Sequence, residues 1–74
     1  MSQFLTQIRR LEREIAKRQA AIEDWKRRMA EATDPASRSS LQSHITTGER
    51  QIEGWRAKII HLQEAIERSR TVRR

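Results

Sequence analysis

Seventy-four residues make one domain, near the size at which a single hydrophobic core is only marginally sufficient. Charged and hydrophobic residues each account for 35%, and sixteen Lys/Arg against ten Asp/Glu leave a net charge of +6, a balance too polar for an ordinary globule but normal for long amphipathic helices. The absence of cysteine excludes disulfides and thiolate zinc sites, and no apolar run approaches the ~18 residues of a membrane span.

The first helix is expected over about residues 2–32, with Ser2 as its cap. Its apolar residues are Phe4, Ile8, Leu11, Ile15, Ile22, Trp25 and Met29. Their spacing alternates four and three, with Arg18 in one expected apolar slot. That 3.5-residue repeat marks a coiled-coil seam. Ile8, Ile15, Ile22 and Met29 take heptad position a, and Phe4, Leu11, Arg18 and Trp25 take d.

Asp34-Pro35 supplies the corner, with the turn at about residues 33–34. Asp34 is a good N-cap, because its carboxylate can accept from the unpaired N–H groups of the next turn. Pro35 suits the first helical position, where its missing N–H costs nothing. Proline also disfavours helical geometry in the preceding residue, which stops the incoming helix. The hydroxyls of the Ser37 to Ser40 cluster suit capping there, and phosphorylation is a second use that nothing requires.

The second helix is expected over about residues 35–69, followed by a frayed basic tail at about 70–74. It repeats the pattern with Leu41, Gly48, Trp55 and Leu62 at d and Ile45, Ile52, Ile59 and Ile66 at a. Folding at the corner joins the seams in antiparallel order, from Met29/Leu41 through Ile22/Gly48 and Leu11/Ile59 to Phe4/Ile66. Each layer sets an a residue against a d residue. The fold predicted is all-α, a two-helix antiparallel coiled-coil hairpin. Glu12 near Arg56 and Glu14 near Lys58 are expected to support the register across the seam. Trp25 is expected to lay its ring over the space left by Gly48, and Arg18 to extend along the seam toward water or over Trp55. The echo between Ile22-Glu23-Asp24-Trp25-Lys26 and Ile52-Glu53-Gly54-Trp55-Arg56 is as readily explained by shared heptad demands as by duplication.

A lone hairpin buries little for its length, and an indole at d overfills a two-stranded seam. Both points favour a homodimer in which two hairpins form a four-helix bundle. The predicted oligomer interface comprises Leu5, Ala16, Ala20, Ala57 and Ile60 with Trp25 and Trp55. Small residues permit close helix approach, while the alanines would equally serve as helix formers on a solvated face.

Chemistry is represented mostly by absences. His44 and His61 lie seventeen residues apart on different faces. His61-Leu62-Gln63-Glu64 reverses the Glu-x-x-His order of bundle di-metal sites. Glu23 and Asp24 point outward, and no phosphate-binding loop or nucleophile elbow is visible. A narrow hairpin leaves little room for a small molecule. The expectation is a non-enzyme with no metal, cofactor or small-molecule ligand.

Charge is distributed unevenly. Residues 1–20 hold five bases against two acids, a net +3, and residues 56–74 hold six against two, a net +4. The intervening stretch has five bases against six acids, a net −1. Folding therefore gathers +7 at the free end. Arg9, Arg10, Arg13, Arg68, Arg70, Arg73 and Arg74 are the candidate contacts for nucleic acid or an acidic partner. Exposed stacking aromatics and a helix-turn-helix are absent, and the apolar faces are already used by the seam, which argues against membrane-surface binding. The N-terminal stretch lacks a basic-then-apolar signal pattern, so a cytoplasmic location is expected.

The paired seams are similar in architecture to the plasmid copy-number hairpins that dimerise into RNA-binding four-helix bundles, a likeness of periodicity alone. Asp34-Pro35 with Leu41-Gln42 and Ile45 resembles the turn of type III secretion needle subunits, from which the basic ends and strong heptads of the first helix depart. Both are architectural analogies, and neither carries a site residue onto this chain. The function expected from the residues is a small adaptor, assembly or regulatory module that acts through helix packing on a protein partner. The alternative is a nucleic-acid-binding regulator that uses the basic free end.

Overall fold

The structure, a computed structural model, describes residues 3–71. Two helices make up the described chain, α1 at Gln3–Glu31 and α2 at Pro35–Thr71. At 1.5 Å per residue they are about 44 and 56 Å long. Laid end to end they would exceed the 63 × 16 × 12 Å envelope of the Cα trace, so α1 folds back along α2 as a helical hairpin.

The corner is made by short local bonds. Ala32 donates its N–H to the Met29 carbonyl at 3.3 Å, a three-residue closure that tightens the last turn of α1. Asp34 then caps α2. Its Oδ2 accepts the Ser37 N–H at 3.0 Å and the Ser37 hydroxyl at 3.1 Å, and its carbonyl accepts the Arg38 N–H at 3.1 Å. Pro35 is the first helical residue, where it leaves no donor unpaired.

At its other end α2 runs through Arg70 into Thr71, beyond the expected limit near residue 69. The cause is local. Arg70 pairs with Glu67 at 3.4 Å, one turn back, and Arg68 and Arg70 both sit at the negative end of the helix dipole. Ser2, Arg73 and Arg74 lie outside the described residues.

Packing between the helices follows the heptads. All sixteen a and d positions are buried or half-buried. The fully buried hydrophobic side chains are isoleucines at a: Ile8, Ile22, Ile45 and Ile52, with Ile22 only 1% exposed. Ile15, Trp25, Met29 and Trp55 pack around the cluster of Ile22, Ile45 and Ile52.

At Gly48 the helices approach closely. A Cβ built there would stand 3.0 Å from Ile22 Cγ1, 3.1 Å from its Cδ1 and 3.3 Å from Trp25 Cζ3. The missing side chain is thus replaced by Ile22 and the Trp25 ring. The Trp25 ring thus lies over the space left by the glycine one layer away, as the heptad assignment predicts.

Two further expectations are corrected. The ion pairs between charged side chains in the described residues lie within single helices: Glu14–Lys17 at 3.9 Å, Asp24–Arg28 at 3.0 Å and Glu67–Arg70. Glu14 thus pairs along α1 rather than across to Lys58, and Glu12 forms no bridge to Arg56. The i,i+3 partner is held by the same helix, whereas a cross-seam pair must order two long side chains in water. Arg18 is half-buried in its slot, and a ring contact near the seam sets Trp25 on His44. Those rings stack at 5.3 Å between centroids with 27° between planes.

Candidate interaction surfaces

Arg9, Arg10 and Arg13 project from the side of α1 opposite the seam, all exposed, and none forms an ion pair among the described residues. Arg68 and Arg70 are exposed near the end of α2, with Arg70 held to Glu67. Both sets occupy the free end of the hairpin, but not one spot. The Leu11/Ile59 layer puts Arg9 to Arg13 level with the stretch around residue 59. Arg68 and Arg70 therefore lie about 15 Å further along the rod at 1.5 Å per residue. Arg73 and Arg74 fall outside the described residues. The basic end is a graded strip along two helices rather than a single cluster.

The residues expected at an oligomer interface separate into two groups. Trp25 and Trp55 are half-buried against the isoleucine cluster and belong to the hairpin's own core. Among the described residues Leu5 and Ile60 are the exposed large hydrophobics, at 50% and 53%, and Ala16, Ala20 and Ala57 are exposed as well. Leu5 and Ile60 both lie toward the free end.

Helix surfaces here carry shallow depressions rather than enclosed cavities. On α1, Thr6, Arg9, Glu12, Arg13 and Ala16 line one hollow, with two bases and one acid. On α2, Ile60, Gln63, Glu64, Glu67 and Arg68 line another, with two acids and one base. Between the helices, Gln19 and Lys26 of α1 meet Glu49 and Arg56 of α2 along a cleft beside Ile22 and Ile52. These four residues all hold heptad position e, so the cleft identifies which broad side of the hairpin the e positions share.

Polar groups are at the surface, and no buried side-chain nitrogen or oxygen among the described residues lacks a partner. His61 Nδ1 lies 3.7 Å from Glu64, one turn away. No group of three or more His, Cys, Asp or Glu among the described residues is placed to hold a metal ion, and no described helix is long and apolar enough to cross a membrane.

The Trp25–His44 stack and the paired hollows were not anticipated from sequence. Trp25 at d and His44 at g of the facing helix flank the same layer, and that adjacency is a readable signal. The hollows depend on how exposed side chains lie on each helix surface, which periodicity does not encode. Comparison with protein-family models, with curated proteins and with solved structures finds no match to this chain.

Proposed function

We propose that the chain is a non-catalytic interaction module that acts through helix packing, as a small adaptor, assembly or regulatory protein of the cytoplasm. In this reading two coiled-coil hairpins associate into a four-helix bundle that presents a surface to a protein partner. The observation that carries it is the burial pattern. Most of the seam is only half-buried, while Leu5 and Ile60 stand about half exposed at the same end. Small helical hairpins with so few enclosed side chains generally gain stability by association.

A second reading has an observation of its own. Arg9, Arg10 and Arg13 form an exposed basic strip without ion-pair partners among the described residues, suited to a phosphate backbone. Light scattering at two salt concentrations, with and without a mixed RNA/DNA oligonucleotide pool, separates the two. The first reading expects a mass of twice 8.8 kDa that ignores the oligonucleotides. A complex that dissolves steeply with salt would favour the second. A well-folded monomer at working concentration would defeat the four-helix bundle.

A further inference from the structure

The outward face of α1 changes sign along its length. Heptad positions b, c and f point away from the seam, and between residues 6 and 20 they hold Arg9, Arg10, Arg13 and Lys17 with no acid. Thr6, Ala16 and Ala20 fill the rest of that stretch, and every one of these residues is exposed. From residue 23 to the corner the same face holds Glu23, Asp24 and Glu31 against Arg27 alone. Glu12 and Glu14 sit at e and g, on the flanks nearest α2. A mixed solvated surface intersperses the two signs, whereas here the cations stand together on one half of one face.

The hairpin does little to neutralise them. Arg9, Arg10 and Arg13 form no ion pair among the described residues. Lys17 reaches Glu14 at 3.9 Å across one exposed turn, a contact weak enough to exchange for a phosphate.

Spacing and neighbouring residue types select the anion. Arg9 and Lys17 stand about 12 Å apart along the axis at 1.5 Å per residue, and the major groove of B-form DNA is about 12 Å wide. Laid across that groove, α1 sets Arg9 and Arg10 over phosphates of one strand and Lys17 over those of the other, with Arg13 between them. Threonine and alanine at the remaining positions let the helix come close, and α2 lies behind α1, away from the duplex. Phe4, Trp25 and Trp55 are half-buried in the seam, so the face offers no ring on which an unpaired base could stack. The major groove of A-form RNA is deep and narrow, which this spacing does not match. No Asn or Gln lies on the face, so the contact is with the backbone and tolerant of sequence.

We infer that the free-end half of α1 binds duplex DNA through its phosphate backbone, with Arg9, Arg10, Arg13 and Lys17 bridging the major groove. The inference rests on the nucleic-acid reading above and names its ligand and its face. Leu5, at e, and Ile60, on α2, lie off this face, so the inference does not depend on association.

Fluorescence anisotropy of a short labelled DNA duplex, titrated with the full chain, tests it. Neutralising four phosphates gives a logarithmic salt slope of about −3.6, so affinity should fall about 150-fold between about 50 and 200 mM salt. Arg9→Gln with Arg13→Gln should halve that slope and weaken binding at the lower salt by about tenfold or more. Arg27→Gln with Arg28→Gln removes the same net charge from the corner half of α1 and should change affinity by less than about threefold. All four sites are exposed, so circular dichroism should report unchanged helix content in both variants.

Equal weakening by the two variants would overturn the inference, because net charge and not this face would then carry binding. Tighter binding of the single strand of the same sequence, or of an RNA duplex, would overturn it while leaving the nucleic-acid reading in place. Equal capture of an oligoglutamate of matched charge would overturn it in favour of an acidic protein partner. No binding to any nucleic acid at the lower salt would remove this inference together with the nucleic-acid reading.

Discussion

Gly48 and Ile22 pack tightly against one another, and their effect can be predicted from distances. Replacing a helical glycine with alanine ordinarily gains about 1 kcal/mol. At Gly48 the new methyl would press on Ile22, which at 1% exposure has nowhere to swing, and on the Trp25 ring. Overpacking of this kind costs about 1–3 kcal/mol, so the strain should exceed the gain in propensity. Gly54 is the internal control, since nothing lies within 4 Å of a Cβ built there. Urea unfolding should therefore show Gly48→Ala destabilising by about 1 kcal/mol and Gly54→Ala stabilising by a similar amount. Equal gains at both sites would mean the helices are further apart than described. Ile22→Ala should cost about 2–5 kcal/mol, enough to abolish cooperative unfolding in so small a core.

Each helix is defined by its ends as much as by its seam. Asp34 satisfies the first turn of α2 through Ser37, in an exposed setting where no other group replaces it. Asp34→Ala should cost about 1 kcal/mol and Asp34→Asn much less, measured as the shift in thermal midpoint. Along the helix flanks, Glu14–Lys17, Asp24–Arg28 and Glu67–Arg70 each pair within one helix. A double-mutant cycle on Glu14 and Lys58 should thus give a coupling below about 0.3 kcal/mol, while Asp24 and Arg28 should show about 0.3–0.5. Strong coupling between Glu14 and Lys58 would restore electrostatics as a determinant of register. As the structure stands, register follows from interlocking apolar side chains, with Ile22 seated against Gly48.

A rod of 63 × 16 × 12 Å has a large surface for its volume, and its seam cannot enclose much. This shape explains why twelve of the sixteen seam positions lack full burial by a hydrophobic side chain, even though the heptads are nearly complete. It also keeps charges exposed, so the basic end can act over a Debye length of about 8 Å in physiological salt. On the association reading, dilution should lower the thermal midpoint, because unfolding is then coupled to dissociation. A midpoint independent of concentration over about a hundredfold range would place the stability within one hairpin. Either result bears on how the two exposed apolar residues are covered.

Heptad spacing, Arg18 and Gly48 as the interruptions, and the corner at Asp34-Pro35 were legible in the chain itself. These are local or periodic properties: a 3.5-residue repeat can meet only another of matching phase, and an Asp-Pro pair ends one helix and begins the next. The exposure of Arg9, Arg10 and Arg13 was equally legible, since all three fall on the side of α1 away from the seam. Tertiary structure decided what depends on several side chains at once. It seated Ile22 and Trp25 in the space of Gly48, stacked His44 on Trp25, and kept Glu14 with Lys17 rather than Lys58. It also left a basic hollow on α1 and an acidic hollow on α2, both toward the free end. Contacts of this kind turn on distances of a few tenths of an ångström and on competition among neighbouring partners, which spacing along a chain does not specify.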